Sequence, residues 1–184
     1  MSFNLIRAVA GTENNDDIHL GRILLLLLAA NDKGSKAIDG ITKLAKLDFL
    51  LRYPNCLERA LVAEKKDPEL ADVKDYERST IESKMIRFKY GPWDFRYRRW
   101  LNLLSSRGLA TIEIQKKTVV INITEKGQRI AEQFSADASY REIYLRSQLV
   151  LNTFGKMTSS GIKNFVYQVF PELETMKWGE DILL

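Results

Sequence analysis

The sequence predicts a mostly α-helical fold that contains one small antiparallel β ribbon and continues into extra C-terminal helices. Several segments of the 184-residue chain place apolar residues at helical spacing, which is typical of amphipathic helices. Two short segments, "ATIEI" and "VVINI", instead alternate apolar and polar residues on either side of the turn "QKKT", as paired strands do. The apolar fraction of 45% is ordinary for a globular protein, so a real core can form.

The first predicted helix contains the run "ILLLLLAA" at residues 23–30. Asn15, Asp16 or Asp17 can cap its start because their side chains accept unpaired backbone N–H groups, and "NDKGSK" ends it near Asn31. The apolar run is far shorter than the ~20 residues needed to span a bilayer, and the polar "NNDD" before it argues against a signal peptide. We therefore expect a helix that is buried on all sides, and no membrane segment.

The segment "ITKLAKLDFLLRY" predicts a second helix over residues 41–53, which Pro54 ends. The apolar arc of this helix consists of Ile41, Leu44, Leu47 and Leu51. Asp48 falls inside that arc. Because a buried carboxylate is costly unless it is paired, we expect a basic or hydroxyl partner for Asp48 rather than a catalytic role.

A short third helix is predicted over residues 56–64. The charged, proline-containing segment "KKDPELADVKDYE" follows it and indicates a mobile connection. Order resumes at Ser79, since Ser79 and Glu82 have the spacing of a capping box. Further on, Gly91 with Pro92 predicts a turn.

The next predicted helix, in "DFRYRRWLNLLSSRG", uses Asp94 as its cap and stops at Gly108. A rotation of about 100° per residue separates its residues into two faces. The core face has Tyr97, Trp100, Leu101 and Leu104, and the polar face has Arg98, Asn102, Ser105 and Ser106, with Arg99 beside them. One side of this helix is therefore core, and the other is a row of hydrogen-bond donors.

The ribbon after this helix has one apolar face, because side chains on a strand alternate with a period of two. That face carries Ile112, Ile114, Val119, Ile121 and Ile123. The turn at residues 115–118 contains no glycine, so its type stays open. Thr124 then caps a helix in "EKGQRIAEQF". The order of helix, turn, helix, strand, turn, strand, helix is that of a winged helix-turn-helix domain, with the ribbon as its wing.

Two further helices are predicted over residues 139–154 and 158–170. We assign residues 1–134 to the winged-helix domain with its N-terminal helices, and residues 135–184 to a C-terminal helical appendage. The appendage is rich in aromatic residues, which dominate interface anchors, so we expect it to dock a protein partner. The alternative is that it folds back over the apolar first helix. The candidate partner-binding residues are Phe165, Tyr167, Phe170, Trp178, Leu183 and Leu184.

No residue pattern points to catalysis or to a cofactor. The chain lacks cysteine pairs at metal spacing, a metalloprotease motif, a phosphate-binding loop and a dinucleotide fingerprint. We therefore expect no catalytic, cofactor-binding or metal-binding residue, and a small nuclease or transferase is the least supported class. His19, the single histidine, is expected to be a solvated residue at a helix end. The single cysteine, Cys56, fits a reducing cytosol.

The chain is mildly basic, with a net charge of +4, and its basicity is concentrated. Residues 84–107 contain seven basic residues and one aspartate, a net charge of +6, so the rest of the chain is at −2. Aromatic residues interleave this segment, and arginine suits phosphate and base-edge contacts because its fork is planar and bidentate. A protein-facing surface or a solvated, salt-bridged face is the alternative. The candidate DNA-binding residues are Arg96, Arg98, Arg99, Asn102, Ser106, Lys116 and Lys117.

The stretch "LNLLSSRGLATIEIQKKTVVINITEKGQRIA" resembles the generic end of a winged-helix domain, in which a reading helix leads through "RGL" into the wing and on to "TEKG". More widely, "LGRILLLLLAA", "ITKLAKLDFLLRYP", "YGPWDFRYRRWLNLLSSRGL" and "FVYQVFPEL" follow one another. This order is similar to that of the small middle components of bacterial ABC-three-component systems, which include the small C subunit of the Lamassu anti-phage systems. The similarity extends over most of the chain and rests on order rather than on invariant motifs.

The resemblance implies a non-catalytic accessory subunit. Such a subunit acts with an SMC-like coiled-coil ATPase and an effector, often a nuclease, in a bacterial complex that senses foreign DNA. The strongly basic helix departs from the pattern, which leaves open whether that face contacts DNA or the ATPase. The alternative is a free-standing winged-helix transcriptional regulator that dimerises and binds an operator. In either case we expect a cytoplasmic protein.

Overall fold

The computed structural model describes residues 16–32, 34, 37–78 and 84–184. The fold is mostly helical with a small antiparallel sheet, which confirms the predicted class at that level. Within the described ranges, the helices are α1 (Asp16–Asp32), α2 (Ile41–Arg52), α3 (Pro54–Ala63), α4 (Tyr97–Ser106), α5 (Glu125–Ala136), α6 (Ala138–Phe154), α7 (Ser159–Val169) and α8 (Glu172–Thr175). The strands are β1 (Ala37–Asp39), β2 (Ile86–Phe88), β3 (Gly91–Trp93), β4 (Ala110–Gln115) and β5 (Thr118–Ile123). The predicted cap at Asn15 and the capping box from Ser79 to Glu82 lie outside the described residues.

Helix α1 lies at the centre of the core. Its residues 19–30 are all buried, which confirms the expectation of burial on every side. Helices α5 and α6 pack along it, and α4, β1 and β5 contact it as well. A helix covered in this way needs no polar face, which explains its uninterrupted leucines. Among the described helices, none combines the length and the apolar character that a membrane crossing requires.

The predicted ribbon is present and has a third strand. Strands β4 and β5 pair antiparallel, and β1 pairs with the other edge of β5, so the strand order is β1-β5-β4. The register sets Ile112 opposite Ile121 and Ile114 opposite Val119, which confirms that these apolar residues share one face. The sequence pattern missed β1 because three residues are too few to show an alternation.

The junctions around the ribbon follow the predicted caps. Gly108 adopts a φ of 68° at the end of α4, and the N–H of Leu109 bonds the carbonyl of Leu104 at 2.8 Å, as in a glycine-terminated helix. Thr124 caps α5 by accepting the N–H of Gly127 at 2.9 Å. A Cβ atom at Gly127 would lie 2.0 Å from the carbonyl oxygen of Leu109. Only glycine therefore lets α5 pack this closely on the start of the ribbon.

A β hairpin that the sequence did not predict precedes α4. Strands β2 and β3 pair antiparallel with Phe88 opposite Gly91, so residues 89–90 form the turn and Gly91 and Pro92 belong to β3. The predicted turn at these two residues is thus wrong by two positions. Asp94 does not cap α4 itself. Its Oδ1 accepts the N–H of Arg96 at 2.9 Å, and α4 begins one residue later.

The predicted mobile connection after α3 is ordered by one arginine. Two 3-10 helices, Pro68–Ala71 and Asp75–Arg78, occupy it. Arg146 of α6 donates from Nε to the carbonyl of Ala71 at 3.0 Å and pairs with the carboxylate of Glu77. Local sequence patterns could not reveal this anchor, because Arg146 lies on a helix far along the chain from the segment that it holds.

The C-terminal residues extend the core instead of forming a separate layer. Helix α7 packs on α2 and α3, and Phe170 is fully buried in edge contact with Phe49 at 5.5 Å. The last residues run beside β2, where the N–H of Ile182 bonds the carbonyl of Met85 at 2.9 Å. Ile182 is 0% exposed. The apolar core is thus continuous across residue 134.

The predicted appendage divides its packing between two parts of the core. Helix α6 packs along α1, so this part of the appendage folds over the first helix, as the alternative interpretation expected. The last residues cover β2 instead. Most of the appendage is therefore committed to the fold, and only its exposed side chains remain available for a partner.

Candidate nucleic-acid interface

Helix α4 presents the two faces that its sequence predicted. Tyr97, Trp100 and Leu104 are 0% exposed. The polar residues Arg98, Arg99, Asn102, Ser105 and Ser106 are all exposed. The helix therefore offers one row of donors to solvent while its other face anchors it in the core.

Most arginines of the basic segment are already engaged within the fold. Arg99 pairs with Asp16 at 2.6 Å, and Arg107 pairs with Asp17 at 3.0 Å. These two aspartates lie in the first turn of α1, where negative charge favours the helix dipole. Arg96 pairs with Asp94 at 2.8 Å and stacks on Trp100. The net charge of +6 counted along residues 84–107 is thus partly neutralised by aspartates that lie close to these arginines in the fold.

Two arginines of the basic segment behave differently from the other three. Arg98 is exposed and takes part in no ion pair among the described residues, so it is the best-placed cation on the α4 face. Arg87, in contrast, is buried at 8% exposure and cannot contribute to an exposed basic surface. Interleaving of basic and aromatic residues along the sequence therefore does not translate into one exposed cationic surface.

The ribbon tip projects two lysines. Lys116 and Lys117 form the turn between β4 and β5, and both are exposed. Lys116 adopts a φ of 58°, which a turn without glycine requires at one position. Ile114 beside the turn is 79% exposed, so the outer end of the ribbon extends beyond the core.

Beneath α4, Asp48 joins three elements through a buried ion network. Its Oδ1 accepts Nε of Arg22 at 2.6 Å, and its Oδ2 accepts the hydroxyl of Tyr97 at 2.6 Å. Nε of Arg52 lies 3.0 Å from Oδ2 as an ion pair without hydrogen-bond geometry. Burial alone would raise the pKa of Asp48, but the two guanidinium groups outweigh it and hold that pKa well below its usual range. The predicted basic and hydroxyl partners are confirmed.

The network continues to the start of α4. Nη1 of Arg52 donates to Oδ2 of Asp94 at 3.0 Å, and Asp94 in turn holds Arg96. His19 also belongs to this region, because its ring stacks on Trp100 with centroids 4.4 Å apart. The histidine is 1% exposed, so the expectation of a solvated helix-end residue is wrong. The prediction relied on the position of His19 in the first turn of α1, where side chains are often solvated. In the structure α4 covers that turn.

The single cysteine of the chain lies in the core. Burial raises the pKa of the Cys56 thiol to about 12, which disfavours a thiolate nucleophile. In the described part of the chain, no three of the histidine, cysteine, aspartate and glutamate side chains are grouped to hold a metal ion.

The candidate partner-binding residues divide into buried and exposed sets. Phe170 is fully buried, so the prediction that its side chain contacts a partner is wrong. Phe165 and Tyr167 are half-buried, as is Leu184, which packs against the core. Trp178 and Leu183 are 64% and 65% exposed.

Trp178 is part of a surface that the sequence did not predict. The ring of Phe88 lies 5.8 Å from that of Trp178 and 5.1 Å from that of Phe95, measured between centroids. Phe95 is 63% exposed. We call Phe88, Phe95 and Trp178 the aromatic patch. Main-chain bonds hold it in place, since the N–H of Gly179 bonds the carbonyl of Arg87 at 2.7 Å.

A second surface feature is a groove of about 610 Å³ between α3 and α7. Arg59, Val62, Phe165 and Val169 are among the residues that line it. Arg59 is engaged there with Glu172 of α8. The groove therefore presents the exposed Val62 and the half-buried Phe165 and Val169 beside an ion pair.

Comparison with known proteins gives this chain no relative: no family model, no curated protein and no solved structure matches it.

Proposed function

We propose that the chain is a non-catalytic accessory subunit, built on a winged helix-turn-helix domain, that contacts DNA within a larger assembly. The partners we propose are an SMC-like coiled-coil ATPase and an effector such as a nuclease, in a bacterial complex that acts against foreign DNA. The observation that carries the proposal is the succession α1, β1, α2, α4, β4, β5, with strand order β1-β5-β4 and a projecting, lysine-tipped ribbon directly after an exposed polar helix face.

The winged-helix assignment requires one insertion. Helix α3, the two 3-10 helices and the β2–β3 hairpin stand between α2 and α4. Helix α4 then takes the place of the reading helix, because it leads directly into the ribbon through Gly108. Its buried face packs on α1, and its polar face remains open to a ligand.

The proposed DNA contacts differ in strength. Arg98, Lys116 and Lys117 are exposed cations without an ion pair among the described residues, so their charge is free to meet phosphates. Arg96 and Arg99 must first give up an aspartate, and Asn102 and Ser106 supply neutral hydrogen-bonding groups. Such contacts are mainly to the backbone of the duplex, so binding is expected to be salt-dependent and nearly independent of sequence.

The aromatic patch and Leu183 support a separate protein contact. Exposed tryptophan and phenylalanine held by main-chain bonds are the residue types and the rigidity that interface anchors show. We propose that this surface docks the ATPase. The resemblance to ABC-three-component middle subunits suggests that partner, whereas a free-standing regulator would use the same surface for self-association.

The first experiment tests the assembly. The tagged chain is captured from its native host, and co-purifying proteins are identified by mass spectrometry. Recovery of a coiled-coil ATPase by the wild type, and its loss on Phe95→Ala with Trp178→Ala, supports the proposal. A Val62→Ala, Leu70→Ala variant is the matched control, since both residues are exposed apolar side chains elsewhere. A self-associated chain without an ATPase would instead favour the regulator.

The second experiment tests the DNA contacts in the recovered assembly. Replacement of Arg98, Arg99, Lys116 and Lys117 by alanine is expected to lower the slope of log affinity against log salt by ~0.9 for each phosphate group that the variant no longer binds. The charge-matched control replaces Lys65, Arg129, Arg141 and Lys156, which are exposed on other parts of the chain. Equal salt slopes in the two variants would show that the α4 face and the ribbon tip do not bind DNA.

A further inference from the structure

Three cations gather at one site between α2, the β2–β3 hairpin and α7. They are Lys46, Arg87 and Lys163, and we call them the cation cluster. Lys46 is 0% exposed and Arg87 is 8% exposed, while Lys163 is half-buried. Within the described part of the chain, no aspartate or glutamate forms an ion pair with any of the three. Buried charges are normally paired, so this grouping needs a physical explanation.

Lys46 is only partly satisfied by the fold. Its Nζ donates to the carbonyl of Pro92 at 2.9 Å, and an ammonium group has three donors. Pro92 is the cross-strand partner of Arg87, so the hairpin brings both cations to the same place. Burial, followed by repulsion from Arg87 and Lys163, lowers the pKa of Lys46 to about 7.

Arg87 has an unused donor. Its Nε donates to the carbonyl of Leu173 at 2.5 Å, and its guanidinium lies over the ring of Tyr167 at 5.4 Å. Its Nη1 is buried and has no hydrogen-bond partner among the described residues. Because an unpaired buried donor is costly, most such groups in native proteins are satisfied, and a bound ion is one means of satisfying a charged one.

Gly91 lies against two members of this site. Its φ is 96°, and a Cβ atom there would lie 3.3 Å from Cε of Lys46, 3.6 Å from Nζ of Lys46 and 3.7 Å from Cζ of Tyr167. Lys46 and Tyr167 therefore both pack closely on this glycine. Tyr167 and Lys163 are half-buried neighbours on α7, so they are the members of the site that reach the surface.

The approach to the site is also cationic. Tyr90 is 48% exposed, and Nζ of Lys163 lies 6.0 Å from its ring centroid. Nζ of Lys89 lies 5.3 Å from the same centroid on the hairpin turn. An anion that approaches from this side meets positive charge before it reaches the buried cations.

We propose that the cation cluster binds a small oxyanion of the phosphate class. Lys46, Arg87 and Lys163 supply the charge, and the hydroxyl of Tyr167 supplies a further donor. A phosphate-type dianion has several acceptor oxygens, and arginine and lysine are the side chains that bind such groups. The cluster is formed by α2, the β2–β3 hairpin and α7, whereas the proposed DNA contacts are on α4 and the ribbon tip, so the proposal does not rest on the proposed DNA contacts.

Thermal unfolding of the full chain tests the proposal. Inorganic phosphate is titrated at pH 6.5 against chloride at constant ionic strength, and adenosine monophosphate is titrated in a second arm. The unfolding temperature of the wild type is expected to rise with phosphate concentration, because a ligand that binds only the folded state stabilises that state. A rise with inorganic phosphate alone identifies the free ion as the ligand, and a larger rise with the monophosphate identifies a phosphomonoester.

Lys46→Met is the decisive variant. It replaces a buried charge by an apolar side chain of similar length, so it is expected to fold, and its affinity for phosphate should fall by about tenfold or more. Lys43→Met is the matched control, because Lys43 is also a buried lysine of α2 that donates to a backbone carbonyl, that of Gly155. The control should keep the wild-type response, and it also corrects for the general stabilisation that phosphate gives to proteins.

Three results would overturn the proposal. They are a wild type that responds equally to phosphate and chloride, a Lys46→Met variant that keeps the phosphate response, and a Lys43→Met variant whose response falls to the same degree. If Lys46→Met does not fold, Lys163→Met serves in its place, since Lys163 is only half-buried. Retention of the full response by Lys163→Met would then count against the site.

Discussion

Two residues apart on α2, Asp48 and Lys46 are both fully buried, and the protein treats the two charges in opposite ways. Asp48 is surrounded by Arg22, Arg52 and Tyr97, so its charge is compensated. Lys46 faces Arg87 and Lys163, and it donates one hydrogen bond, to the carbonyl oxygen of Pro92. The pKa of Asp48 is held low, which preserves its charge, whereas the pKa of Lys46 is lowered, which disfavours its charged form.

The difference shows that burial alone does not decide what an ionisable residue does. The Asp48 network fixes α4 relative to α1 and α2, because Tyr97 of α4 and Arg22 of α1 both bond the same carboxylate. The charges of this network therefore stabilise the fold. The cation cluster has no such counter-charge among the described residues, so its charges do not stabilise the fold in the same way. That contrast is what points to a ligand at the second site.

The largest effect is expected from removal of the central carboxylate. Asp48→Asn leaves Arg22 and Arg52 buried without their shared anion, and breaking a buried ion pair in this way costs about 3–5 kcal/mol. Urea denaturation should show this destabilisation as a lower unfolding midpoint with an unchanged slope. Glu64→Gln, at an exposed position, is the control, and a midpoint for Asp48→Asn as high as that control would show that the network does not stabilise the fold.

At Lys46 we expect a substitution to stabilise the fold, the opposite of the effect at Asp48. Lys46→Met removes an uncompensated buried charge, so the free energy of unfolding at pH 6 without phosphate should rise by about 1–3 kcal/mol. Chemical denaturation measures the change. A destabilised Lys46→Met variant would show that the bond to Pro92 outweighs the repulsion from Arg87 and Lys163.

The pH dependence should separate the two sites. The pKa of Lys46 is about 7 in the folded chain against a usual value of 10.5, so the unfolded chain binds more protons between these values. Stability is therefore expected to rise from pH 7 towards pH 10, and Lys46→Met should remove that component. The groups that face Lys46 are Arg87 on β2, Lys163 and Tyr167 on α7, and the Pro92 carbonyl on β3.

Asp48 should act at the acid end. Its folded pKa lies below the usual 3.8, so its contribution is present above that value and is lost as the pH falls through the folded pKa. Unfolding midpoints measured from pH 1 to pH 10 in the wild type, Asp48→Asn and Lys46→Met check both statements. A Lys46→Met profile that keeps the whole alkaline rise would assign that rise to another group.

The smallest effects are expected on the exposed face of α4. Arg99→Ala removes a surface ion pair with Asp16, which is worth about 0–1 kcal/mol, and Arg98→Ala breaks no ion pair of the described residues. The two variants should therefore have nearly equal midpoints. In the DNA-binding assembly, Arg98→Ala should reduce the salt slope more than Arg99→Ala, and the reverse order would mean that Asp16 releases Arg99 to DNA.

Periodicity predicted most of the local structure. The amphipathic face of α4, the shared face of the ribbon, the cap at Thr124 and the stop at Gly108 each depend on residues close together in the chain. The partners expected for Asp48 were also predictable, since a carboxylate in an apolar arc must be paired. The identity of those partners was not, because Arg22 and Tyr97 lie on other helices.

The errors share a physical cause. His19 and Phe170 were expected to be accessible, and both are buried by elements distant in sequence. Arg87, one of the seven basic residues counted in the basic segment, is buried as well. Arg99 and Arg107 are neutralised by Asp16 and Asp17, which lie outside the counted residues 84–107. Arg96 is neutralised by Asp94, which the count includes. A charge count along the sequence gives the net charge of a segment, whereas binding at an interface depends on which charges are exposed together on one surface.

Residue patterns alone predict a mostly helical chain with a buried central helix and a short ribbon, since helical and strand periods are properties of neighbouring residues. Which charges are compensated depends instead on how the elements pack. Lys43 and Lys46 both lie outside the apolar arc predicted for α2, yet both are buried, and Lys46 lies close to two further cations. Electrostatic energy depends on distances through space, and the packing of α7 and the β2–β3 hairpin on α2 sets those distances.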